Sequence, residues 1–281
     1  YRGVIILIKM ESMSEKRERI SISRYDLIIV LSGFLISRVS ILNELTPFGI
    51  AYLGAFLVMK RKNFWLALSI LSGLFTIHGL GGINYYITVL AIYLAFTKLI
   101  KDQGESLIKG AGLVGLSFLF IQFILNIAGQ NFKYDLLVLV FESLLVFAMT
   151  YVLSYSMPLE KLRLANIKNE QLVCSLVTLA LIISGMTNIS IYQVSLKSLI
   201  SISLIIFIAY REGLLLGLGL SVVLGLVSFI SEVEMPFIIS ILVVGGLLAG
   251  LFRDLGRLGS ILGFILGNGI ISFYINKFGS S

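Results

Sequence analysis

The sequence predicts an all-α fold: a polytopic transmembrane helical bundle of about 10 spans, plus one re-entrant or irregular segment. Three observations carry this. First, 58% of the 281 residues are apolar and only 13% charged, and mean hydropathy is +1.01; a globular domain has about 45–50% apolar and about 25% charged residues. Second, the apolar residues fall into long runs, and a helix needs about 20 residues to cross a hydrocarbon core of about 30 Å. Third, the alternation of a membrane β-barrel is absent, while 27 glycines against 3 prolines suit packed membrane helices.

Residues 1–24 start at Tyr1 and hold Arg2, Lys9, Lys16, Arg17, Arg19 and Arg24 against Glu11, Glu15 and Glu18. Their apolar run 4–8 is shorter than the roughly 7–15 residues of a secretory signal core. This is read as a basic cytoplasmic lead of a fragment whose true start lies elsewhere. The transmembrane domain is 25–275, with spans at 25–42, 48–59, 64–80, 83–100, 107–127, 134–153, 172–187, 194–210, 213–230, 236–252 and 258–275. Residues 276–281 begin a carboxyl-terminal linker.

Basic residues assign sides, because cytoplasmic loops are rich in Lys and Arg. Every second loop is basic: Lys60, Arg61 and Lys62; Lys98 and Lys101; Lys161, Arg163 and Lys168; Arg211; Arg253 and Arg257. Between them lie Glu44, the glycines at 79, 81 and 82, Lys133 with Asp135, Asn188, and Glu232 with Glu234, which are placed outside. The amino terminus is therefore expected in the cytoplasm. The basic residues sit in short loops, not in a stripe, so no nucleic-acid partner is expected. The last run is interrupted by Gly259, Gly263, Gly267, Asn268 and Gly269, which makes it the candidate for a re-entrant or irregular segment. In the loop 154–171, Leu159, Leu162 and Ala165 or Ile167 allow a short interfacial helix.

Helices in lipid associate by close packing, and small residues four apart let backbones approach. Gly213 with Gly217, Gly246 with Gly250, and Gly259, Gly263 and Gly267 have that spacing; packing within the chain and self-association between chains both stay open. Gly110, Gly112 and Gly115 match the dinucleotide expression but lack its strand and acidic residue, so they too read as packing positions. Arg38 and Glu142 lie in the outward halves of two spans and form a candidate intramembrane ion pair, the alternatives being a snorkelling Arg38 and a Glu142 protonated or hydrogen-bonded in the bundle. Lys109 and Lys197 snorkel from span ends. His78 reads as an outer-interface residue, and Gln122 and Asn126, one turn apart, suit interhelical hydrogen bonds. The single Cys174 and single His78 form no disulfide or metal cluster by themselves. No catalytic residue, cofactor or metal site is expected in this chain.

Asn43-Glu-Leu-Thr-Pro47-Phe-Gly49-Ile-Ala51, Leu162 to Glu170, Glu212-Gly213, and above all Gly245-Gly-Leu-Leu-Ala-Gly250-Leu-Phe-Arg253-Asp-Leu-Gly256-Arg257-Leu-Gly259 through Gly267-Asn268 resemble the membrane region of the stage II sporulation protein E family. The resemblance implies a membrane anchor and septal-localisation region of a sporulation-regulating serine phosphatase. It also implies a cytoplasmic carboxyl end, followed by a linker that engages the tubulin-like division protein. Beyond the linker it implies a metal-dependent phosphatase domain of the PP2C type, taking Mn or Mg and acting on a phosphorylated anti-anti-sigma factor. None of that domain's metal ligands maps onto this chain, whose own direct partner is the lipid bilayer. The alternative is a small-solute secondary transporter, with a polar site between broken helices, for which Pro47 and Gly267-Asn268-Gly269 would be the breaks.

Overall fold

The computed structural model describes residues 24–41, 44–61, 63–99, 106–128, 136–156, 169–186, 190–191, 194–231 and 237–278. The basic lead and most of the loop read as an interfacial helix lie outside the described residues. The helices are α1 (Arg24–Ser37), α2 (Pro47–Val58), α3 (Phe64–His78), α4 (Ile83–Leu99), α5 (Leu107–Ala128), α6 (Leu136–Ser156), α7 (Asn169–Ser184), α8 (Leu196–Glu212), α9 (Leu214–Ser231), α10 (Ile238–Leu251) and α11 (Gly256–Phe278). Each coincides with one apolar run of the sequence. A two-residue antiparallel ladder, Ser190–Ile191 with Val194–Ser195, precedes α8, whose first turn is capped by the Ser195 hydroxyl accepting from Ser198 N–H at 3.2 Å.

Five helical stretches among the described residues are long and apolar enough to cross a membrane: Phe64–Thr97, Leu107–Ala128, Leu136–Ser156, Leu214–Ser231 and Ile238–Ile275. The first and last, of 34 and 38 residues, exceed what one crossing needs, and each folds back on itself. In the first, the turn is Gly79–Gly82, with Gly79 at φ 51, a region that favours glycine. The Phe64 and Tyr93 rings then meet at 6.3 Å and the Phe75 and Tyr86 rings at 6.4 Å, so α3 and α4 run antiparallel. In the second, Phe252–Leu255 makes the turn and α11 returns along α10.

Two cores stack side by side. The amino-terminal one gathers Ile36, Ile50, Leu53, Leu66, Ile70 and Phe118 around α2. That helix is apolar on all sides and buried from Pro47 to Leu57, as expected of a helix enclosed by others. Its 12 residues rise only about 18 Å. The carboxyl-terminal core joins Ile205, Ala209, Leu220, Leu224 and Phe264. Helix α7 serves both, with Leu181 in the first and Ala180 and Ile183 in the second. The outer surface is apolar as well: Leu116 and Phe120 on α5, and Leu258, Ile265 and Phe273 on α11, are exposed. A surface of this kind on a soluble monomer would be an aggregation hazard; in lipid it faces acyl chains.

One expectation is corrected. The last segment is a continuous helix from Gly256 to Phe278, unbroken at Gly267-Asn268-Gly269, and longer than the run read from the sequence. Gly263 and Gly267 lie against the α10 backbone, so interhelical contact replaces the side-chain packing they lack.

Candidate functional site

The glycines come first, because they set how near the helices lie. A Cβ on Gly263 would sit 2.8 Å from the Leu248 carbonyl carbon, and one on Gly267 would sit 2.7 Å from the Val244 carbonyl oxygen. A Cβ on Gly259 would meet Leu255 and the Phe252 carbonyl. Partners that descend by four as the glycines ascend by four define an antiparallel contact of near backbone distance. Gly250 faces Leu214 Cα at 2.7 Å, Gly217 faces Ala209 Cα at 2.7 Å, and Gly246 faces the Ser221 side chain of α9. All these neighbours belong to the same chain. Gly213 differs from the others: it ends α8 at φ 98, so its first requirement is a left-handed turn, not a helix face. Gly110 and Gly115 lie within α5, against Val58 of α2 and Phe147 of α6.

At the end of the bundle opposite Lys60 and Arg61, polar side chains from four helices converge. A tight loop begins it: Ile41 N–H donates to Leu45 O at 2.8 Å and Leu45 N–H to Ile41 O at 3.1 Å. This leaves Glu44 exposed and Thr46 fully buried before Pro47. The Thr46 hydroxyl does not cap α2. It bonds the His78 ring at Nε2, 3.1 Å away. The imidazole of His78 stacks on Tyr85 with ring centroids 5.1 Å apart, and the Tyr85 hydroxyl donates to Glu142 Oε1 at 3.0 Å. Thr46, His78, Tyr85 and Glu142 thus form a chain of contacts. Glu142 is only 3% exposed.

Glu44, His78, Tyr85 and Glu142 border a cavity of about 270 Å³, whose wall is completed by Gly81, Asn84, Gln122, Asn126 and Leu139. Gln122 and Asn126 face it together because they are one turn apart on α5. Asn126 Oδ1 is buried with no hydrogen-bond partner among the described residues. The structure thus brings Glu142, His78, Gln122 and Asn126 together, although the sequence singles them out only separately. It adds Thr46, Tyr85, Asn84 and Glu44, whose one common sequence signal is a polar residue at the same end of successive apolar runs. The Arg38 guanidinium lies 5.6 Å from the Phe34 ring centre, while Glu142 accepts from the Tyr85 hydroxyl. Lys197, expected to reach the interface, is buried at 5% exposure. No group of three or more His, Cys, Asp or Glu suited to a metal ion occurs among the described residues.

Residues 5–280 match the family described as SpoIIE, N-terminal domain. Over 253 residues the chain is 25% identical to stage II sporulation protein E of Bacillus subtilis (strain 168), which takes in 88% of this chain and 30% of that protein. The chain therefore spans under a third of the length of this curated relative. No solved structure matches it. With the match running across nearly all of its helices, the chain belongs to the SpoIIE N-terminal domain family.

Proposed function

We propose that this bundle is the membrane anchor and septal-localisation region of a sporulation-regulating serine phosphatase. On this reading catalysis belongs to a separate domain, which would take Mn or Mg and act on a phosphorylated anti-anti-sigma factor. The tubulin-like division protein would be met through cytoplasmic regions beyond this chain. The observation that carries the proposal is the run of antiparallel hairpins, α8 to α11, held at near backbone distance by glycines and apolar on the outside. Such a body is stable in lipid through packing. The family match supports the sporulation setting.

The geometry adds a condition. Ser184 and Ser231 share a hydrogen bond of 3.3 Å, and Gly185 abuts Leu35, so the ends of α1, α7 and α9 lie together at the cavity end. Helix α11, antiparallel to α10, finishes at that end too. If the basic loops are cytoplasmic, as their charge indicates, the chain after Phe278 emerges outside. A cytoplasmic enzyme then requires one further crossing after Ser281. This reading differs from the cytoplasmic carboxyl end that the resemblance implies. Deleting residues 25–275 from the full-length protein tests the proposal: loss of septal placement supports it, and retention of septal placement overturns it.

The transporter reading has one observation in its favour, the buried Glu142 beside a cavity. Against it, α11 is unbroken and the cavity lies at one end of the bundle. Solute movement by the purified chain in vesicles would establish it.

A further inference from the structure

We propose that the cavity between α3, α4, α5 and α6 is a binding site for a small organic cation carrying a primary ammonium group. The inference goes beyond anchoring and does not depend on it.

The wall is rich in acceptors. Glu142 forms the floor as a carboxylate almost wholly removed from solvent. A buried charge is costly unless paired, yet the Glu142 carboxyl accepts from an uncharged donor, the Tyr85 hydroxyl. Asn126 Oδ1 is a second buried acceptor, without a partner among the described residues. Glu44, exposed in the loop before α2, supplies a second carboxylate to the wall. No Lys or Arg is among the described residues that line the space. A buried carboxyl group in the wall and a carboxylate in an exposed loop line the space with acceptors and favour cations.

Size and donor chemistry narrow the class. A cavity of about 270 Å³ is far larger than the roughly 30 Å³ share of one water and lies just below the usual range of small-molecule sites, about 300–1,000 Å³. A bare metal ion would leave most of it unfilled. An ammonium with three N–H donors matches a carboxylate and an amide oxygen directly, and a short carbon stem would lie along Leu139 and the Tyr85 ring.

The test uses the full chain in lipid nanodiscs, with 1,4-diaminobutane as the ammonium probe. Its neutral analogue 1,4-butanediol and the ions Mg²⁺ and Ca²⁺ are the comparators, and binding is read by titration calorimetry and thermal shift. The expected result is a Kd for the diamine at or below about 1 mM, with no binding by the diol. Glu142→Gln should weaken binding about tenfold or more. Glu44→Gln, at an exposed position with no folding risk, should weaken it several-fold while leaving Tm in the absence of probe unchanged. Equal binding of the diol, binding of Mg²⁺ or Ca²⁺ in preference to the diamine, no diamine binding at all, or a Kd unaffected by Glu44→Gln would each overturn the proposal. None of these outcomes bears on septal placement, so the site and the anchor fail or stand separately.

Discussion

Gly263 on α11 and Leu248 on α10 face each other at near backbone distance: a Cβ added to the glycine would lie 2.8 Å from the Leu248 carbonyl carbon and 3.1 Å from Ala249 Cα. No flexible side chain is available there to give way. Gly263→Leu should therefore separate the hairpin and cost about 1–3 kcal/mol or more, the range of an overpacked core. Gly269, on the same helix, has nothing within 4 Å of its Cβ position. Gly269→Ala should be neutral or slightly stabilising, since alanine exceeds glycine in helix propensity by up to about 1 kcal/mol. Thermal unfolding of both variants in detergent checks the pair.

Gly213 and Gly256 separate backbone freedom from space. Both have positive φ, 98 and 82, but only Gly213 abuts another group, the Arg253 guanidinium. Gly256→Ala should cost about 1–2 kcal/mol, the penalty for an L-residue in left-handed backbone. Gly213→Ala should cost more, because Arg253 must also move. The difference in Tm between the two variants is the readout.

The contacts that hold Glu142 should show pairwise coupling. Tyr85→Phe removes the donor of the 3.0 Å bond and should lose about 1–3 kcal/mol, as for a buried bond to a charged acceptor. In a double-mutant cycle with Glu142→Gln the two losses should not add. The Arg38–Glu142 pairing that the sequence allows is tested by the same cycle with Arg38→Gln. It should couple more weakly than Tyr85, because Arg38 lies over Phe34.

Topology is open to a labelling experiment. A cysteine at Glu44 should react with an impermeant maleimide from outside the cell, and a cysteine at Lys60 should not, each in a Cys174→Ser background. A reporter joined after Ser281 should report the same side as the Glu44 cysteine, as the antiparallel course of α11 requires. A reporter on the Lys60 side would mean that α11 does not cross.

The helices were legible because each coincides with an apolar run bounded by charge or glycine; length marks five stretches as able to cross, whereas the 12-residue α2 falls short. The end of α11 was not, because Gly267-Asn268-Gly269 looks like a break until Val244 and Gly245 of α10 are seen against Gly267. The spacing of Gly213 and Gly217 likewise hides the fact that a helix ends between α8 and α9. At the cavity, Glu142, His78, Gln122 and Asn126 stand out in sequence as polar groups in apolar runs, whereas Thr46 and Tyr85 do not. Their grouping depends on how α2, α4, α5 and α6 pack, and a sequence without tertiary contacts does not carry that information.

The central claim, that this bundle holds another domain in place and does no chemistry itself, is tested most directly by imaging the full-length protein with and without residues 25–275 in sporulating cells. The account predicts membrane-bound, septal fluorescence for the whole protein and loss of the septal signal for the deletion. Septal fluorescence that persists after the deletion would contradict it.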